Sequence, residues 1–207
     1  MNKSYILIGI GIVVFIIASS LSFFTVKANQ EAVILRFGKY NETVGPGLHF
    51  KLPVIDNVLS GEVKRIYNEE FGFRTRYSGK ISTFDYDFPG AQDESLMLTG
   101  DLNCAEVHWV IRYKIKDLKE FLFNVRNVKE TLRKVSQSVM RRIVGDRSID
   151  EVLTIGRAEI EEKVREELGR KLDAYGCGIS IQTVMLKGVN PPDAVKDAFS
   201  AVNQAVQ

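Results

Sequence analysis

The feature that most constrains this chain is an uninterrupted run of uncharged residues, 4–26, close to the amino terminus. Its apolar side chains recur on every side of a helix, which is typical of a segment surrounded by lipid rather than of an amphipathic surface helix. A helix needs about 20 apolar residues to cross the hydrocarbon core of a bilayer, and this run is long enough. We therefore predict one transmembrane helix over residues 4–26. Its predicted anchor residues are Tyr5, Ile6, Gly9, Gly11, Phe15, Phe23 and Phe24.

A cleaved signal peptide is the alternative interpretation of this run, because Ala18, Ser19 and Ser20 resemble the small residues of a cleavage site. These residues lie inside the apolar run, however, and Lys3 is the only charged side chain before it. The apolar core of a cleaved signal peptide usually spans about 7 to 15 residues, which is shorter than this run. An uncleaved anchor therefore fits the sequence better.

The charges beside the run leave its orientation open. Lys27, Arg36 and Lys39 follow it whereas only Lys3 precedes it, and the positive-inside rule then favours a cytoplasmic domain. The difference is small, and long domains cross membranes largely regardless of such counts. The small residues within the run, Gly9 and Gly11, would let a neighbouring membrane helix approach closely.

The composition of the whole chain suits one medium-sized globular domain behind this anchor. Of its 207 residues, 28 are Lys or Arg and 26 are Asp or Glu, which gives a net charge of +2. Domains that bind nucleic acid concentrate positive charge on one face, so this balance gives no reason to expect a nucleic-acid partner.

Cys104 and Cys177 are the only cysteines in the sequence. Two are too few for a disulfide framework or for a cysteine-rich zinc site. One bridge between them and two unpaired buried thiols both remain open, and buried thiols are the commoner situation.

The pattern after the anchor predicts an α+β domain, with short strands first and helices later. A Gly-Pro-Gly turn at residues 45–47 separates the first two strands. Along the second strand of a predicted hairpin, every other side chain is apolar and is expected to face the core. Predicted strands cover residues 31–37, 48–52, 57–66, 95–99 and 102–115, with a long exposed loop over residues 74–94. The predicted core-facing side chains are Ala105, Val107, Trp109, Ile111, Tyr113 and Ile115.

Capping residues and apolar residues at helical spacing dominate the second half. Asp117 and Asn127 are predicted N-caps, and Ser148 with Glu151 forms a capping-box pattern. A stripe of Ile160, Val164, Leu168 and Leu172 predicts a long helix that ends near Gly176 and Gly178. A last strand is predicted over residues 179–187. The predicted domain therefore covers residues 27–190, and residues 191–207 begin a C-terminal helix.

Several segments resemble the band-7 or SPFH superfamily, which includes stomatin, prohibitin, flotillin, HflK and HflC. They are residues 29–39 (NQEAVILRFGK), 45–53 (GPGLHFKLP), 98–101 (LTGD), 141–145 (RRIVG) and 190–199 (NPPDAVKDAF). In this order they cover essentially the whole chain. Within the superfamily, residues 70–75 (EFGFRT) and 96–101 look most like HflK members.

This resemblance implies a scaffold without enzymatic activity and without a cofactor. HflK members pair with HflC, and the two assemble as rings or cages that enclose the membrane-bound ATP-dependent protease FtsH. The resemblance places the soluble domain on the periplasmic side of the inner (plasma) membrane, which is opposite to the result of the charge count. Full-length members continue as a long coiled-coil helix and a cap, so it also implies further residues after Gln207.

No catalytic, cofactor or metal site is predicted from the residues themselves. Cys104, Glu106 and His108 share one face of a strand, but alternation alone produces such a trio, and zinc requires three or four convergent ligands. No nucleophile motif or phosphate-binding glycine loop is present. The acids Asp85, Asp87, Asp93 and Glu94 lack the glycine and the closing glutamate of an EF-hand, so a solvated acidic loop is the simpler interpretation.

Two groups of residues are candidates for contact with partners. The aromatic residues of the 74–94 loop are expected either to meet a partner or the membrane interface, or to fold back onto the domain; they are Tyr77, Phe84, Tyr86 and Phe88. Basic and acidic helix faces could pair between neighbouring subunits of a ring, with ordinary solvation as the alternative. The predicted interface residues are Arg133, Arg141, Arg142, Glu162, Glu166 and Phe199.

The sequence thus predicts a membrane-anchored subunit of an oligomer that restrains an FtsH-type protease, with membrane lipid and HflC-like subunits as further partners. A stomatin-like organiser that forms homo-oligomers without FtsH is the main alternative. A sensor or substrate-binding module is a third hypothesis, and it would need a pocket. No small-molecule substrate is expected.

Overall fold

A computed structural model describes residues 22–77, 83–153 and 156–191. The strands are β1 (Phe23–Val26), β2 (Glu31–Arg36), β3 (Lys39–Val44), β4 (Gly47–Phe50), β5 (Asp56–Gly61), β6 (Tyr67–Phe71), β7 (Arg74–Tyr77), β8 (Thr83–Asp85), β9 (Leu96–Leu98), β10 (Cys104–Ile115) and β11 (Ile179–Asn190). The helices are α1 (Ala91–Ser95), α2 (Leu118–Phe123), α3 (Val128–Gly145), α4 (Ile149–Leu153) and α5 (Arg157–Ala174). This arrangement confirms the predicted α+β class.

The N-terminal part is built from two small antiparallel sheets. One has the order β3-β2-β5, and the other consists of β1 and β4. Strand β2 is central because its aliphatic residues are buried: Ala32, Val33 and Ile34 are at most 2% exposed. The prediction of a strand here is confirmed, whereas β3, which is mostly exposed and polar, was not predicted from the sequence.

The end of the predicted transmembrane helix is wrong. Phe23 and Phe24 belong to strand β1, where they pair with Phe50 and His49 of β4. The sequence FFTV is aromatic and β-branched and therefore suits a strand, but its pairing partner lies more than twenty residues away and leaves no signal in the apolar run. Tyr5, Ile6, Gly9, Gly11 and Phe15 lie outside the described residues. No helix within the described ranges has the length and hydropathy required to span a bilayer.

The larger sheet has the order β11-β10-β6, with the short β9 also paired to β10. Helices α3 and α5 cover one face of it, and their apolar stripes form a single core with the inward side chains of β10. All six side chains predicted to face the core are at most 6% exposed, which confirms the predicted alternation, although Ile115 packs in a smaller cluster with Val33 and Leu118. The predicted hairpin of β9 and β10 is confirmed as well.

Trp109 lies at the centre of the core. Its indole stacks on the ring of Phe71 with centroids 4.6 Å apart. Its Nε1 donates a hydrogen bond to Oγ of Ser136 on α3 over 3.2 Å, which satisfies the one polar group of a fully buried side chain. The contact joins β6, β10 and α3 at one point.

The predicted helix caps are present in the structure. Asp117 Oδ1 accepts a hydrogen bond from the backbone N of Glu120, and Asn127 Oδ1 accepts one from Glu130 N. Ser148 and Glu151 exchange the two hydrogen bonds of a capping box. The stripe predicted for α5 is confirmed, because its four aliphatic residues are at most 1% exposed. The helix ends before two glycines of positive φ, as predicted.

The prediction of one long exposed loop over residues 74–94 is wrong. Arg74 pairs with Asp85 and Thr75 with Phe84 in the hairpin of β7 and β8, and the short helix α1 follows. The strand predicted over residues 57–66 is confirmed only in its first part, by β5, whereas β6 was not predicted and exposed Ile66 lies just before it. These elements carry weak local patterns, since their side chains are divided between the domain and solvent.

Candidate functional site and interaction surfaces

One end of the small sheets exposes an unusual number of large apolar side chains. Phe23, Leu48 and Phe50 project from β1 and β4, and two turns add Phe37 and Val54. Phe37 is 81% exposed, and Val54 is fully exposed. We call these five residues the apolar end. Large exposed apolar patches on soluble surfaces usually mark contact with a partner or with a membrane.

Backbone hydrogen bonds hold the parts of the apolar end together. Lys51 N donates to the carbonyl O of Ser22 over 2.7 Å, and Phe37 N donates to the carbonyl O of Ile55 over 3.2 Å. The apolar end therefore lies next to Ser22, the residue at which the N-terminal apolar segment enters the described domain. Phe37 and Val54 also have φ values of 50° and 71°, which non-glycine residues rarely adopt.

An ion pair between exposed Arg36 and buried Asp56 links the two turns of the apolar end. Nε and Nη2 of Arg36 donate to the two carboxylate oxygens of Asp56 over 2.9 Å and 3.1 Å. The hydrogen bonds from Arg36 and from the backbone N of Leu52 lower the pKa of Asp56. The turn that carries Phe37 and the turn that carries Val54 are thus tied to each other, so both side chains point away from a rigid base.

The aromatic residues of the 74–94 segment partly fold back onto the domain. The rings of Phe84 and Tyr86 pack around buried Phe73 with centroids 5.5 Å and 6.0 Å away. Phe88 lies over the guanidinium of Arg74 at 4.3 Å. Phe84 and Tyr86 nevertheless keep 42% and 54% of their surface exposed, so contact with a partner stays a prediction. Tyr77 ends β7, and its side chain is not among those the structure describes.

Arg133 joins α3 to this aromatic segment through a network of charges. Its Nη1 donates to Oε2 of Glu69 over 2.9 Å, its Nη2 donates to Oε1 of Glu94, and its guanidinium lies over the ring of Phe71. Arg74 also binds Glu94, over 2.8 Å, and Lys129 binds Glu69 over 3.0 Å. We call these five charged residues the charge clamp. Arg133 was predicted at a subunit interface, but the structure engages it within its own domain.

The other predicted interface residues differ in whether they already have partners within the domain. Arg141 donates to the carbonyl O of Asp93, and Arg142 pairs with Glu167 across the groove between α3 and α5. Glu162 accepts a hydrogen bond from Arg165 Nε over 2.9 Å within α5. Glu166 lines the same groove as Arg142 and is exposed. Phe199 lies outside the described residues.

The structure brings none of the sequence-level metal candidates together. Among residues 22–77, 83–153 and 156–191, no three His, Cys, Asp or Glu side chains converge. Asp85 binds Arg76, and Glu94 belongs to the charge clamp, so two of the four acids considered for calcium have arginine partners. Both cysteines are free thiols. Cys104 is exposed, however, rather than buried.

The chain thus forms an α+β domain that exposes apolar side chains at the apolar end and aromatic side chains in the 74–94 segment. The chain belongs to the SPFH domain / Band 7 family, whose sequence profile matches residues 24–207. Two of its curated relatives share one name. A "Protein HflK" of Treponema pallidum (strain Nichols) is 37% identical over 96% of this chain, and the one of Borreliella burgdorferi (strain ATCC 35210 / DSM 4680 / CIP 102532 / B31) is 34% identical over 100% of it.

A third relative carries a more informative name. The "Modulator of FtsH protease HflK" of Escherichia coli (strain K12) is 30% identical over 89% of this chain. The chain spans 60% and 66% of the length of the first two relatives and 39% of the third. The predicted resemblance to the superfamily, and within it to HflK, is therefore confirmed.

Proposed function

We propose that this protein is a membrane-anchored scaffold subunit of the HflK type, which surrounds an FtsH-type protease and limits its access to substrates. The observation that carries the proposal is the similarity over 89% of the chain to a relative named as a modulator of that protease. The scaffold acts by geometry rather than by catalysis. Each subunit contributes an anchor and a domain, and many weak contacts between neighbours add up to a stable wall.

Charged grooves support an assembly of this kind. Arg141 and Arg142 belong to α3 and Glu162 and Glu166 to α5, and Arg142 and Glu166 line one groove of mixed charge. A head-to-tail ring requires two complementary patches on each subunit, and charged residues such as the exposed Glu162 and Glu166 can contribute to one of them. HflC-like subunits are the proposed neighbours, and a homo-oligomer without FtsH is the competing arrangement.

Mild detergent extraction of the native protein, followed by mass spectrometry of the complex, distinguishes the two. We expect a large assembly that contains an FtsH-type protease and an HflC-like subunit. Recovery of a homo-oligomer that lacks both would contradict the proposal and favour a stomatin-like organiser. Extraction after deletion of the gene for the protease is the matched control, since it removes the protease signal without altering this chain.

We propose further that the apolar end lies in the membrane interface. It lies next to the entry of the N-terminal apolar segment, and it exposes five large apolar side chains. Burial of such side chains at the boundary of headgroups and acyl chains is favourable by roughly 25 cal/mol per Å² of apolar surface. This contact would hold the domain against the surface of the bilayer.

A fluorophore placed at the apolar end is expected to report this contact. An environment-sensitive label on Val54→Cys, in a chain that carries Cys104→Ser, should shift to the blue in proteoliposomes and be quenched several-fold less by aqueous iodide than a label at an exposed control position. The matched control carries the label on Asp173→Cys, an exposed position at the end of α5. Equal quenching of the two labels would show that Val54 faces water.

The side of the membrane can be tested with a residue that the protein already has. We propose a periplasmic domain, as the resemblance implies. Cys104 is exposed and Cys177 is buried, so a membrane-impermeant maleimide should label Cys104 in spheroplasts before lysis. Labelling that requires lysis would place the domain in the cytoplasm.

A further inference from the structure

A cavity of about 480 Å³ opens on the face of the large sheet that is not covered by α3 and α5. Its floor is formed by adjacent positions of two strands: Glu106 pairs with Asn190, and His108 pairs with Gly188. Its wall comes from the aromatic segment, where Tyr86 and Asp87 precede α1. The site is distinct from the apolar end, the charge clamp and the groove between α3 and α5.

His108 is the feature that points to a ligand. Its side chain is 7% exposed, yet it has ring contacts and no hydrogen bond with any described residue. Every fully enclosed side-chain nitrogen or oxygen in the described part of the chain has a partner. Among the described residues none is hydrogen-bonded to the His108 ring, and the ring lines the cavity.

The surroundings of the ring fix its orientation. A Cβ built on Gly72 would approach His108 Cδ2 to 2.7 Å, and one on Gly188 would lie 3.7 Å from Nδ1. The ring of Tyr86 meets that of His108 edge-on with centroids 5.1 Å apart. The imidazole is thus held between two glycines and an aromatic ring, with Nδ1 on the side of Gly188 that lines the cavity.

The cavity has acidic and neutral polar walls. Asp87 and Glu106 contribute carboxylates, and Asn190 contributes an amide. No lysine or arginine occurs among the described residues that line it. Burial lowers the pKa of His108, so its ring is neutral near pH 7 and offers an acceptor nitrogen as well as a donor. Tyr86 adds an aromatic surface suited to a delocalised cation.

We propose that this cavity binds a guanidinium or ammonium group, with the His108 ring and the Asp87 and Glu106 carboxylates as acceptors and Tyr86 as the aromatic wall. Several acceptors and an aromatic ring match the planar array of donors that a guanidinium presents. The volume accommodates an arginine or lysine side chain, or a small organic cation of similar length. This inference goes beyond the scaffold role and does not depend on it, although it provides the pocket that a sensor module would need.

The two histidines of the chain make a direct test practical. His49 lies in β4, far along the chain from the cavity, and its Nε2 is hydrogen-bonded to the carbonyl O of Gly45 over 2.7 Å. In full-length protein labelled with ¹³C and ¹⁵N at histidine, the His108 signals report the cavity and the His49 signals serve as an internal control. The probes are n-propylguanidinium and its uncharged analogue n-propylurea, which have nearly the same shape.

We expect n-propylguanidinium to shift the His108 signals saturably while the His49 signals stay in place, and n-propylurea to require about tenfold more ligand or to fail. Asp87→Asn and Glu106→Gln should each weaken binding about tenfold, because each removes a charged acceptor. Glu42→Gln, on the exposed strand β3, should bind like the unaltered protein. Asp87 lies on the exposed rim, so its substitution keeps the test valid if Glu106→Gln does not fold.

Two outcomes would overturn the proposal: equal affinity for the urea and the guanidinium, or binding that neither carboxylate substitution weakens.

If n-propylguanidinium binds as expected, a peptide with one central arginine identifies the source of the cation. Binding about tenfold tighter than that of n-propylguanidinium supports a protein segment as the natural occupant. Equal affinity supports a free small cation. Both results sustain the site itself.

Discussion

Replacement of Arg133 by methionine is expected to lower the free energy of unfolding by about 3 kcal/mol. Its side chain is only 20% exposed, and it joins the carboxylates of Glu69 and Glu94, which are 7% and 14% exposed. Methionine preserves the apolar packing over Phe71 but removes the charge. Two largely buried carboxylates would then each keep one basic partner, Lys129 or Arg74, and breaking a buried pair on one side is costly because a desolvated charge remains.

Urea unfolding followed by tryptophan fluorescence measures this loss, because Trp109 is the only tryptophan and lies on Phe71 beside the charge clamp. Lys134→Met is the matched control. Lys134 is the next residue of α3 and binds Glu130 over 2.7 Å, but both side chains are exposed. Its substitution should cost less than about 1 kcal/mol. Equal losses for the two substitutions would show that the charge clamp contributes no more than a surface pair.

The charge clamp also predicts a pH dependence. Burial raises the pKa of Glu94, but the hydrogen bonds from Arg74, Gly72 N and Arg133 outweigh burial, and the net pKa is lowered. A carboxyl with a lowered pKa in the folded state stabilises the fold above its unfolded pKa of about 4.3 and loses that contribution as the pH falls through the folded value. The unaltered protein should therefore lose more stability below that pH than Arg133→Met does.

Replacement of Gly178 by alanine is expected to cost about 4 kcal/mol of unfolding free energy. Gly178 has a φ of 64°, and a Cβ there would overlap the carbonyl O of Asp117 and lie 2.5 Å from the backbone N of Phe121. The carbonyl O of Gly178 also accepts hydrogen bonds from the backbone N of Lys116 and of Asp117. Because the obstacles are backbone atoms at the start of α2, they cannot move without shifting the end of β10.

Gly176→Ala provides the control for backbone conformation alone. Gly176 has nearly the same φ of 62°, but a Cβ there would meet the side chain of Asn124, with its Nδ2 at 2.9 Å. That side chain can rotate away but then loses its exposed hydrogen bond to the carbonyl O of Gly176, so the expected cost is the strain of the left-handed conformation plus that bond, roughly 2 to 3 kcal/mol. The difference between the two substitutions in thermal or urea unfolding measures the steric contribution at Gly178. A difference near zero would show that α2 moves freely relative to β10.

The parts of the fold that sequence predicted well depend on contacts near in sequence. Asp117 and Asn127 cap helices through backbone groups three residues away, so type and spacing specify the contact. The buried stripe of α5 and the alternation of β10 follow in the same way from the periodicity of one element. The turn glycines at 176 and 178 are equally local, since positive φ favours glycine wherever it occurs.

The errors occur where the partner is distant. Strand β1 has the composition of an apolar run until β4 supplies its hydrogen bonds. The ion network of Arg133 was not predicted for the same reason, because its acceptors Glu69 and Glu94 lie 64 and 39 residues away. A basic residue on a helix carries no local signal that distinguishes a subunit interface from a partly buried ion network.

The sequence by itself determined the α+β class, the caps and core faces of the helices, the family, and the presence of a long apolar segment before the domain. Only the tertiary structure decided where that segment gives way to a strand, which exposed apolar residues gather beside it, and that Glu106, His108, Asp87 and Tyr86 share one cavity. The physical reason is that caps and periodicity depend on residues a few positions apart. Surfaces and cavities are instead made by side chains that only the packing of distant strands and helices brings together.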